Sequence, residues 1–174
     1  MTRAQLEHIL RAAGGVTGVD RLVVVGSQSI LGQFPDAPEE LRNSMEADVY
    51  APGDANLAHL IDGSIGEGSP FHNTFGYHAH GVGVETATLP KDWMTRTIAV
   101  RSPNTGGVTG LCPEVHDLAV SKLVAGREKD LAFLAALLQH GLVQGRLIRE
   151  RLVATEVTDG VRRACEARLT RLGA

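Results

Sequence analysis

Residues 22–50 read LVVVGSQSILGQFPDAPEELRNSMEADVY, two short apolar runs separated by an acidic segment that contains two prolines. The first run, residues 22–25, is rich in valine and ends in Gly26-Ser27, which predicts a strand, a tight turn and then a helix at residues 28–33. The second run, residues 45–50, predicts another strand, with a loop of at most one helical turn between the two. This order of elements favours an α/β fold.

Outside this stretch, the periodicity predicts strands in the first half of the chain and helices in the second. A helix capped by Thr2 is expected to stop near Gly14-Gly15, and residues 67–80, rich in Gly, His, Ser and Asn, are expected to form an ordered loop. Further strands are expected at residues 82–89 and 94–101, with a Gly-rich turn at 104–110. Further helices are expected at residues 55–65, 114–125, 128–140, 144–154 and 156–172.

These elements predict a small, mixed, twisted sheet flanked by helices. The expected organisation is an α/β core at residues 1–110 and a helical C-terminal segment at residues 111–174 packed on it, as one compact domain overall. With 174 residues, 43% hydrophobic and 21% charged, the chain resembles an ordinary globular protein, which argues against disorder and against a fibrous repeat.

Charge and hydropathy restrict the partners and the location. Seventeen basic against 20 acidic residues argue against a uniformly basic coat for nucleic acid, although seven arginines make the end of the chain locally basic: Arg146, Arg149, Arg151, Arg162, Arg163, Arg168 and Arg171. A signal peptide and an apolar stretch of about 18 residues are both lacking, so we expect a cytoplasmic protein with no membrane partner. Cys112 and Cys165 are expected to be reduced thiols.

Glu46 and Asp48 are the first candidate site residues. At positions i and i+2 of a strand, their carboxylates leave the same face side by side. Two adjacent anions need a cation, and hard oxygen ligands suit Mg²⁺. A solvated edge strand is the alternative for an isolated pair of this kind. The turn at Gly26-Ser27 adds backbone N–H groups and a hydroxyl suited to a phosphate, so the two motifs together predict the parts that phosphoryl transfer requires.

These motifs resemble the nucleotidyltransferase superfamily that includes DNA polymerase beta, in which hG[GS] is followed by [DE]h[DE] on the next strand. Here they read Val25-Gly26-Ser27 and Glu46-Ala47-Asp48. The sequence SKLVAGREKDL at residues 121–131 is similar to the K-x-x-A-x-R-x-x-D helix of AbiEii-like nucleotidyltransferase toxins. The stretches GSQSILG, FHNTFGY and TATLPKDW resemble an uncharacterised bacterial group in the same superfamily.

The resemblance implies Mg²⁺-dependent transfer of a nucleoside monophosphate from a nucleoside triphosphate such as ATP to an acceptor hydroxyl, with release of pyrophosphate. A toxin-like member implies RNA, for example a tRNA end, as the acceptor, contacted by the C-terminal arginines, and an antitoxin protein as partner. A small molecule or a protein hydroxyl is the alternative acceptor. The implied site has Gly26 and Ser27 on the triphosphate, Glu46 and Asp48 on Mg²⁺, and Lys122 and Asp130 beside them.

The chemistry of the residues from Lys122 to Asp130 is compatible with this assignment. Lys122 can act as a point charge on phosphate, and Arg127 can brace a triphosphate oxygen or a carboxylate. A solvated, charged helix face is the alternative for this segment. Asp117, before Lys122 on the same predicted helix, is expected at the surface.

The sequence departs from the superfamily pattern at three points. Glu46 replaces the commoner first Asp, the segment between Ser27 and Glu46 is longer than usual, and the third carboxylate is not obvious. Glu85, on the predicted strand at residues 82–89, is the candidate for the third carboxylate and general base. An exposed strand carboxylate is the alternative for Glu85.

Two other functions stay open at this point. Without a third carboxylate, the chain could be a catalytically inactive nucleotide-binding or interaction module with the same fold. Alternatively, His72, His78 and His80, with Glu67, could form a transition-metal site of a hydrolase, because His78 and His80 would share one strand face. The same histidines could instead bind loop carbonyls or line the nucleotide pocket.

Overall fold

The protein is described by a computed structural model covering all 174 residues, built around a five-stranded mixed sheet. The strands are β1 (Arg21–Val25), β2 (Glu46–Tyr50), β3 (His78–Gly81), β4 (Ile98–Val100) and β5 (Thr109–Cys112). Their order in the sheet is β3-β2-β1-β5-β4. The central strand β1 pairs antiparallel with β2 and parallel with β5, whereas β3 is parallel to β2 and β4 is antiparallel to β5. The expected α/β class with a small mixed sheet is confirmed.

Helices flank this sheet and follow it to the C-terminus. They are α1 (Arg3–Thr17), α2 (Ile30–Gln33), α3 (Leu57–Ile65), α4 (Pro70–Phe75), α5 (Val115–Ala125), α6 (Glu128–Gln139), α7 (Gly145–Val153) and α8 (Asp159–Arg171). One cluster of 35 buried residues runs from Leu6 of α1 to Leu169 of α8, so the sheet and the C-terminal helices share a core. None of the helices is long and apolar enough to cross a membrane.

The two faces of the sheet have different environments. Ala47 and Val49 of β2 belong to the large core, whereas Glu46, Asp48 and Tyr50 alternate onto the opposite face. That opposite face carries only a small apolar cluster, with Val23, Val25 and Val82 at its centre. The polar side chains of β2 therefore lie outside the main core.

Helix α1 extends beyond its predicted end, which is therefore wrong. Thr2 and Gln5 form the expected capping box, but the helix continues through Gly14-Gly15 to Thr17 and ends at Gly18 in the left-handed conformation. A Cβ on Gly14 would overlap the side chain of Val108. Gly14 therefore allows close packing of the helix on a loop and does not end it.

The region from residue 67 to residue 110 differs most from the prediction. Residues 67–80 hold α4 and β3 in place of a loop, residues 82–89 form only a short 3-10 turn at Val84–Thr86, and another 3-10 turn spans Trp93–Arg96. β4 covers only the end of the strand predicted at residues 94–101. It pairs with β5, which begins inside the Gly-rich turn predicted at residues 104–110 and extends beyond it. The predicted strand pair of 82–89 with 94–101 is therefore wrong.

Asp117 of α5 is fully buried, contrary to its expected surface position. Its carboxylate accepts hydrogen bonds from both Nε and Nη2 of Arg96, each at 2.9 Å, and lies 3.5 Å from Nε of Arg151 in α7. Bidentate pairs of this kind fix orientation as well as distance. Asp117 thus ties α5 to α7 and to the turn before β4.

Five of the seven C-terminal arginines have partners within the chain, one of them, Arg146, only through an exposed ion pair with Glu150. Arg168 donates to the carbonyls of Leu123 and Val124 at the end of α5. Arg162 donates to the carbonyls of Leu152 and Thr155, Arg149 pairs with Glu166 and donates to the carbonyl of Ala174, and Arg151 faces Asp117. The local basic charge therefore serves mainly to fasten the C-terminal helices.

Replacing Asp117 tests this arrangement. Because Asp117→Asn leaves two guanidinium groups without their buried counter-charge, we expect the free energy of unfolding in urea at pH 7 to fall by about 3 kcal/mol. The matched control is Glu150→Gln, which removes a largely exposed carboxylate 3.7 Å from Arg146 and should cost less than about 0.5 kcal/mol. Equal losses in the two variants would show that the Asp117 pairs do not hold α5.

Candidate functional site

The turn after β1 lies directly against a carboxylate of β2. Val25 is the register partner of Asp48, and Gly26 follows with a φ of 69° and a ψ of -168°, a region that is essentially restricted to glycine. A Cβ at Gly26 would overlap Oδ2 of Asp48. The Gly-Ser turn and the carboxylate motif, separated by about twenty residues in sequence, therefore meet at one point.

A second strand brings histidines to the same carboxylates. In the parallel pair of β2 and β3, Glu46 is opposite His78 and Asp48 is opposite His80. Nδ1 of His80 lies 3.2 Å from Oδ1 of Asp48, and Nε2 of His78 lies 3.4 Å from Oε2 of Glu46. Three potential ligand atoms, one each from Glu46, Asp48 and His80, lie within 4.8 Å of one another. Carboxylate oxygens and imidazole nitrogens in such a group can hold a divalent cation.

The charges around Asp48 are unbalanced. Burial raises the pKa of Asp48 above its ordinary value, and the negative charge of Glu46 raises it further, against smaller opposing effects of His80 and Lys122. Both influences disfavour an ionised carboxylate at this position. A cation placed between the two carboxylates would remove that penalty.

Lys122 reaches the Gly-Ser turn from the other side. Its Nζ donates to Oγ of Ser27 at 2.9 Å and to Oδ1 of Asp130 at 3.1 Å, and it lies 5.3 Å from the ring centre of Phe133. Arg127 holds the second oxygen of Asp130 through its Nε at 2.5 Å. The residues that were singled out on this segment therefore form one connected group that ends at Ser27.

Burial acts on the pKa values of Lys122 and Asp130. It lowers the pKa of Lys122, because an ammonium loses hydration there, although Asp130 acts in the opposite sense. Burial also acts to raise the pKa of Asp130, but the hydrogen bond from Arg127 and the charge of Lys122 outweigh it, and the pKa lies below its ordinary value. A solvated charged face is therefore ruled out for Lys122 and Asp130, whereas Arg127 is 61% exposed at the rim.

These groups surround a cleft of about 630 Å³. Its walls come from the turn after β1, from β2 and β3, from the segment before β2, and from α5 and α6. The residues that line it include Ser27, Gln28, Glu40, Asn43, Ser44, Glu46, Asp48, His80, Thr86, Lys122, Arg127 and Phe133. The cleft therefore holds carboxylates on one wall and ammonium and guanidinium groups on the other.

Sequence reasoning did not single out Gln28. It is 1% exposed, it lines the cleft, and neither oxygen nor nitrogen of its amide has a hydrogen-bond partner within the chain. Its position directly after Gly26-Ser27 was the only available signal. The sequence groups His80 with the other histidines, and its proximity to Glu46 and Asp48 follows only from the pairing of β3 with β2.

Glu85 is not brought to this cleft. It lies in the 3-10 turn at Val84–Thr86, with its carboxylate folded back over Gly83, and the cleft is lined instead by its neighbour Thr86. The predicted strand placement of Glu85 is wrong, since residues 82–89 have no ladder partner. The structure thus gives Glu85 no place beside Glu46 and Asp48.

The set of His72, His78, His80 and Glu67 is not assembled either. His72 lies in α4, where its Nδ1 accepts a hydrogen bond from the backbone N–H of Gly68, and its ring centre is 4.5 Å from that of His78. The group of potential metal ligands contains neither His72 nor Glu67. His78 and His80 instead face the carboxylates of β2. The structure therefore brings together two sites that the sequence predicts separately, the carboxylate pair and the histidine set.

A family model described as "Nucleotidyltransferase of unknown function (DUF6036)" matches residues 4–167 of the chain. That range contains β1 to β5 and every residue that lines the cleft. No curated protein and no solved structure matches the chain. The match supports the resemblance to the nucleotidyltransferase superfamily, whereas the similarity to AbiEii-like toxins stays a prediction.

Asp130 gives the site a measurable pH dependence. Because its pKa in the folded chain lies below the ordinary value of 3.8, the ionised carboxylate contributes stability that is fully present above about pH 4 and is lost as the pH falls through the folded-state pKa. We therefore expect Asp130→Asn to lower the free energy of unfolding by about 3 kcal/mol at pH 7 and by clearly less at pH 2.5. Urea titrations followed by circular dichroism at both pH values measure the difference.

The control for this prediction is Asp20→Asn. Asp20 is exposed and its side chain has neither an ion pair nor a hydrogen bond, so the substitution should change stability by less than about 0.5 kcal/mol at either pH. The same loss for Asp130→Asn at both pH values would contradict a role for its charge.

Proposed function

We propose that this chain, which belongs to the family of nucleotidyltransferases of unknown function whose model it matches, transfers a nucleoside monophosphate from a nucleoside triphosphate to an acceptor hydroxyl. The observation that carries the proposal is the contact of the Gly26 backbone with the Asp48 carboxylate. The Gly-Ser turn, which is suited to a phosphate, and the pair of carboxylates are therefore neighbours in one cleft, and this supports the combination that phosphoryl transfer needs.

The reaction makes and breaks one bond at the α-phosphorus. The acceptor oxygen forms a bond to that phosphorus, the bond from the phosphorus to the bridging oxygen of pyrophosphate breaks, and the proton of the hydroxyl leaves to solvent. Negative charge grows on the phosphate oxygens, so catalysis depends on positive groups that are already in place. Lys122 is held in place by Ser27 and Asp130, and Arg127 lies exposed at the rim of the same cleft.

Several groups of the turn can bind the triphosphate. Ser27 offers a hydroxyl that already accepts from Lys122, and Gly26 allows the backbone to approach closely because it lacks a side chain. Gln28 adds an amide without a partner in the chain. The chain thus offers the Gln28 amide as a neutral hydrogen-bond donor next to Ser27, and the positive charge of Lys122 in contact with Ser27.

A divalent cation bound at this site would supply Lewis-acid stabilisation to the phosphate oxygens. Glu46 and Asp48 fit this role by their donor chemistry, because two carboxylates share one face of β2 and the glycine at position 26 leaves Oδ2 of Asp48 free of a side-chain clash. Mg²⁺ suits such oxygen donors, since it takes one or two carboxylates and keeps the remaining positions for water and substrate phosphates.

The acceptor we propose to test first is RNA, for example a tRNA end, with a neutralising antitoxin protein as partner in a toxin-like setting. This part of the proposal is supported by the similarity of residues 121–131 to toxin sequences and not by the C-terminal arginines, five of which have partners within the chain. Small molecules and proteins with a free hydroxyl are the other acceptors that the same test covers.

The test is incubation with each α-labelled nucleoside triphosphate, Mg²⁺ and total cellular RNA, followed by separation of RNA, protein and small products. Because Asp48 is a proposed ligand of the cation, Asp48→Asn should lower label transfer at least about 100-fold, which corresponds to about 2.7 kcal/mol of transition-state stabilisation. The exposed control variant Asp20→Asn should retain full transfer.

Each outcome distinguishes the alternatives. Transfer retained in Asp48→Asn would refute the assigned role of this carboxylate. Nucleotide binding without label in any fraction, over all acceptors supplied, would favour the catalytically inactive binding module.

A further inference from the structure

We infer that His80 is the third protein ligand of the cation site, standing where a third carboxylate would be expected, and that it shifts the preference of the site from Mg²⁺ towards Mn²⁺. This inference rests on the proposed function for the presence of a cation at Glu46 and Asp48. It goes further by assigning a nitrogen ligand and a metal selectivity.

The position of His80 follows from strand register. His80 is directly opposite Asp48 in the parallel pair of β2 and β3, and its side chain leaves the sheet on the same face. Nδ1 of His80 lies 3.2 Å from Oδ1 of Asp48. Adjacent ligand atoms of an octahedral ion with bonds of about 2.1 Å are separated by about 3 Å, so this spacing fits two ligands of one ion.

Other carboxylates do not complete the site. The carboxylate of Glu85 lies over Gly83, and Glu85 does not line the cleft. Glu40 lines the cleft, but its Oε1 is paired with Nε2 of His140. Glu46, Asp48 and His80 form the one group of three potential ligand side chains in the chain. The only side chain that joins the two carboxylates is therefore an imidazole.

The two histidines of β3 differ in what they can do. His78 is buried and its Nε2 lies 3.4 Å from Oε2 of Glu46, so it can steady that carboxylate as an outer partner. The side chain of His80 is 52% exposed and lines the cleft, where it can meet an ion that arrives with a nucleotide. We therefore assign ligation to His80 and support of Glu46 to His78.

The donor set determines which ion is favoured. Mg²⁺ is a hard cation that strongly prefers oxygen, whereas imidazole favours first-row transition metals. Mn²⁺ accepts carboxylates as readily as Mg²⁺ does and follows the same octahedral geometry, and as a first-row transition metal it tolerates a nitrogen ligand better than the harder Mg²⁺ does. A site with two carboxylates and one imidazole, open towards substrate phosphates, should therefore bind Mn²⁺ more tightly relative to Mg²⁺ than its all-carboxylate version.

The experiment measures the metal and not turnover. Mn²⁺ binding to the full chain is followed by the loss of the electron paramagnetic resonance signal of free Mn²⁺, with and without a non-hydrolysable nucleoside triphosphate, and Mg²⁺ competition gives the affinity ratio. Pulsed measurements on the bound ion detect a directly bound ¹⁴N nucleus. The variants are His80→Asp and His80→Asn, and the matched control is His59→Asn, at an exposed histidine of α3 whose side chain has no hydrogen bond.

We expect the ¹⁴N coupling in the natural protein and in His59→Asn, and its loss in both His80 variants. His80→Asp should keep a bound ion but lower the ratio of Mn²⁺ to Mg²⁺ affinity about tenfold or more. Bound Mn²⁺ without ¹⁴N coupling, coupling that persists in His80→Asp, an unchanged affinity ratio, or no Mn²⁺ binding with the nucleotide present would each overturn the inference.

The same measurements separate this inference from the proposed function. If ¹⁴N coupling depends on His80 but nucleotide label is never transferred, the ligand assignment stands and the transferase function fails. If label transfer depends on Asp48 while bound Mn²⁺ shows no nitrogen ligand, the function stands and the role of His80 is wrong.

Discussion

The register of β2 between β1 and β3 is the constraint on which the cleft depends. Pairing Val25 with Asp48 sets the carboxylate against the Gly26 backbone, and pairing Asp48 with His80 sets the imidazole on its other side. Because side chains alternate with a period of two, a slip by one residue would turn Glu46 and Asp48 towards the main core and expose Ala47 and Val49. The hydrophobic face of β2 therefore fixes the position of its polar face.

A second constraint lies at the corner between α5 and α6. Gly126 ends α5 in the left-handed conformation, so that Arg127 and Asp130 of the next turn come back to Lys122. Arg168 of α8 binds the last carbonyls of α5 at the same corner. The helical C-terminal segment thus fixes the helix from which Lys122 reaches Ser27, and Arg168 contributes to this by its contacts with α5.

Much of the fold could be predicted because local patterns and tertiary structure agree. The apolar runs of β1 and β2 and the periodicity of α5 to α8 place these elements within a few residues of their observed bounds. β3 was missed because His-Ala-His-Gly has little strand propensity, and its stability comes from pairing with β2 and from burial of Ala79. The predicted strand at residues 82–89 has a suitable alternation but finds no neighbour to pair with, which sequence alone does not reveal.

The site was predictable to the extent that its residues are close in sequence. Gly26-Ser27 and the two carboxylates were recognised because each motif is local, and their contact required only that two predicted strands be neighbours. Glu46-Ala47-Asp48 and His78-Ala79-His80 have the same spacing, yet their alignment depends on a parallel pairing across about thirty residues. The buried position of Asp117 was hidden for the same reason, since its partners Arg96 and Arg151 are remote in sequence.

On each of two walls of the cleft, the surroundings disfavour the charged form of one side chain, Asp48 on the first and Lys122 on the second. Burial raises the pKa of Asp48 and lowers the pKa of Lys122, so each wall disfavours its own charged form. A cation at the carboxylates relieves the first penalty, and an anion beside Ser27 relieves the second. A nucleoside triphosphate with its divalent ion carries both charges at a fixed separation, whereas a metal ion alone or a free anion satisfies only one wall. One side of the cleft thus favours a bound cation and the other side favours a bound anion. Together they argue more strongly for a nucleotide substrate than either motif does by itself.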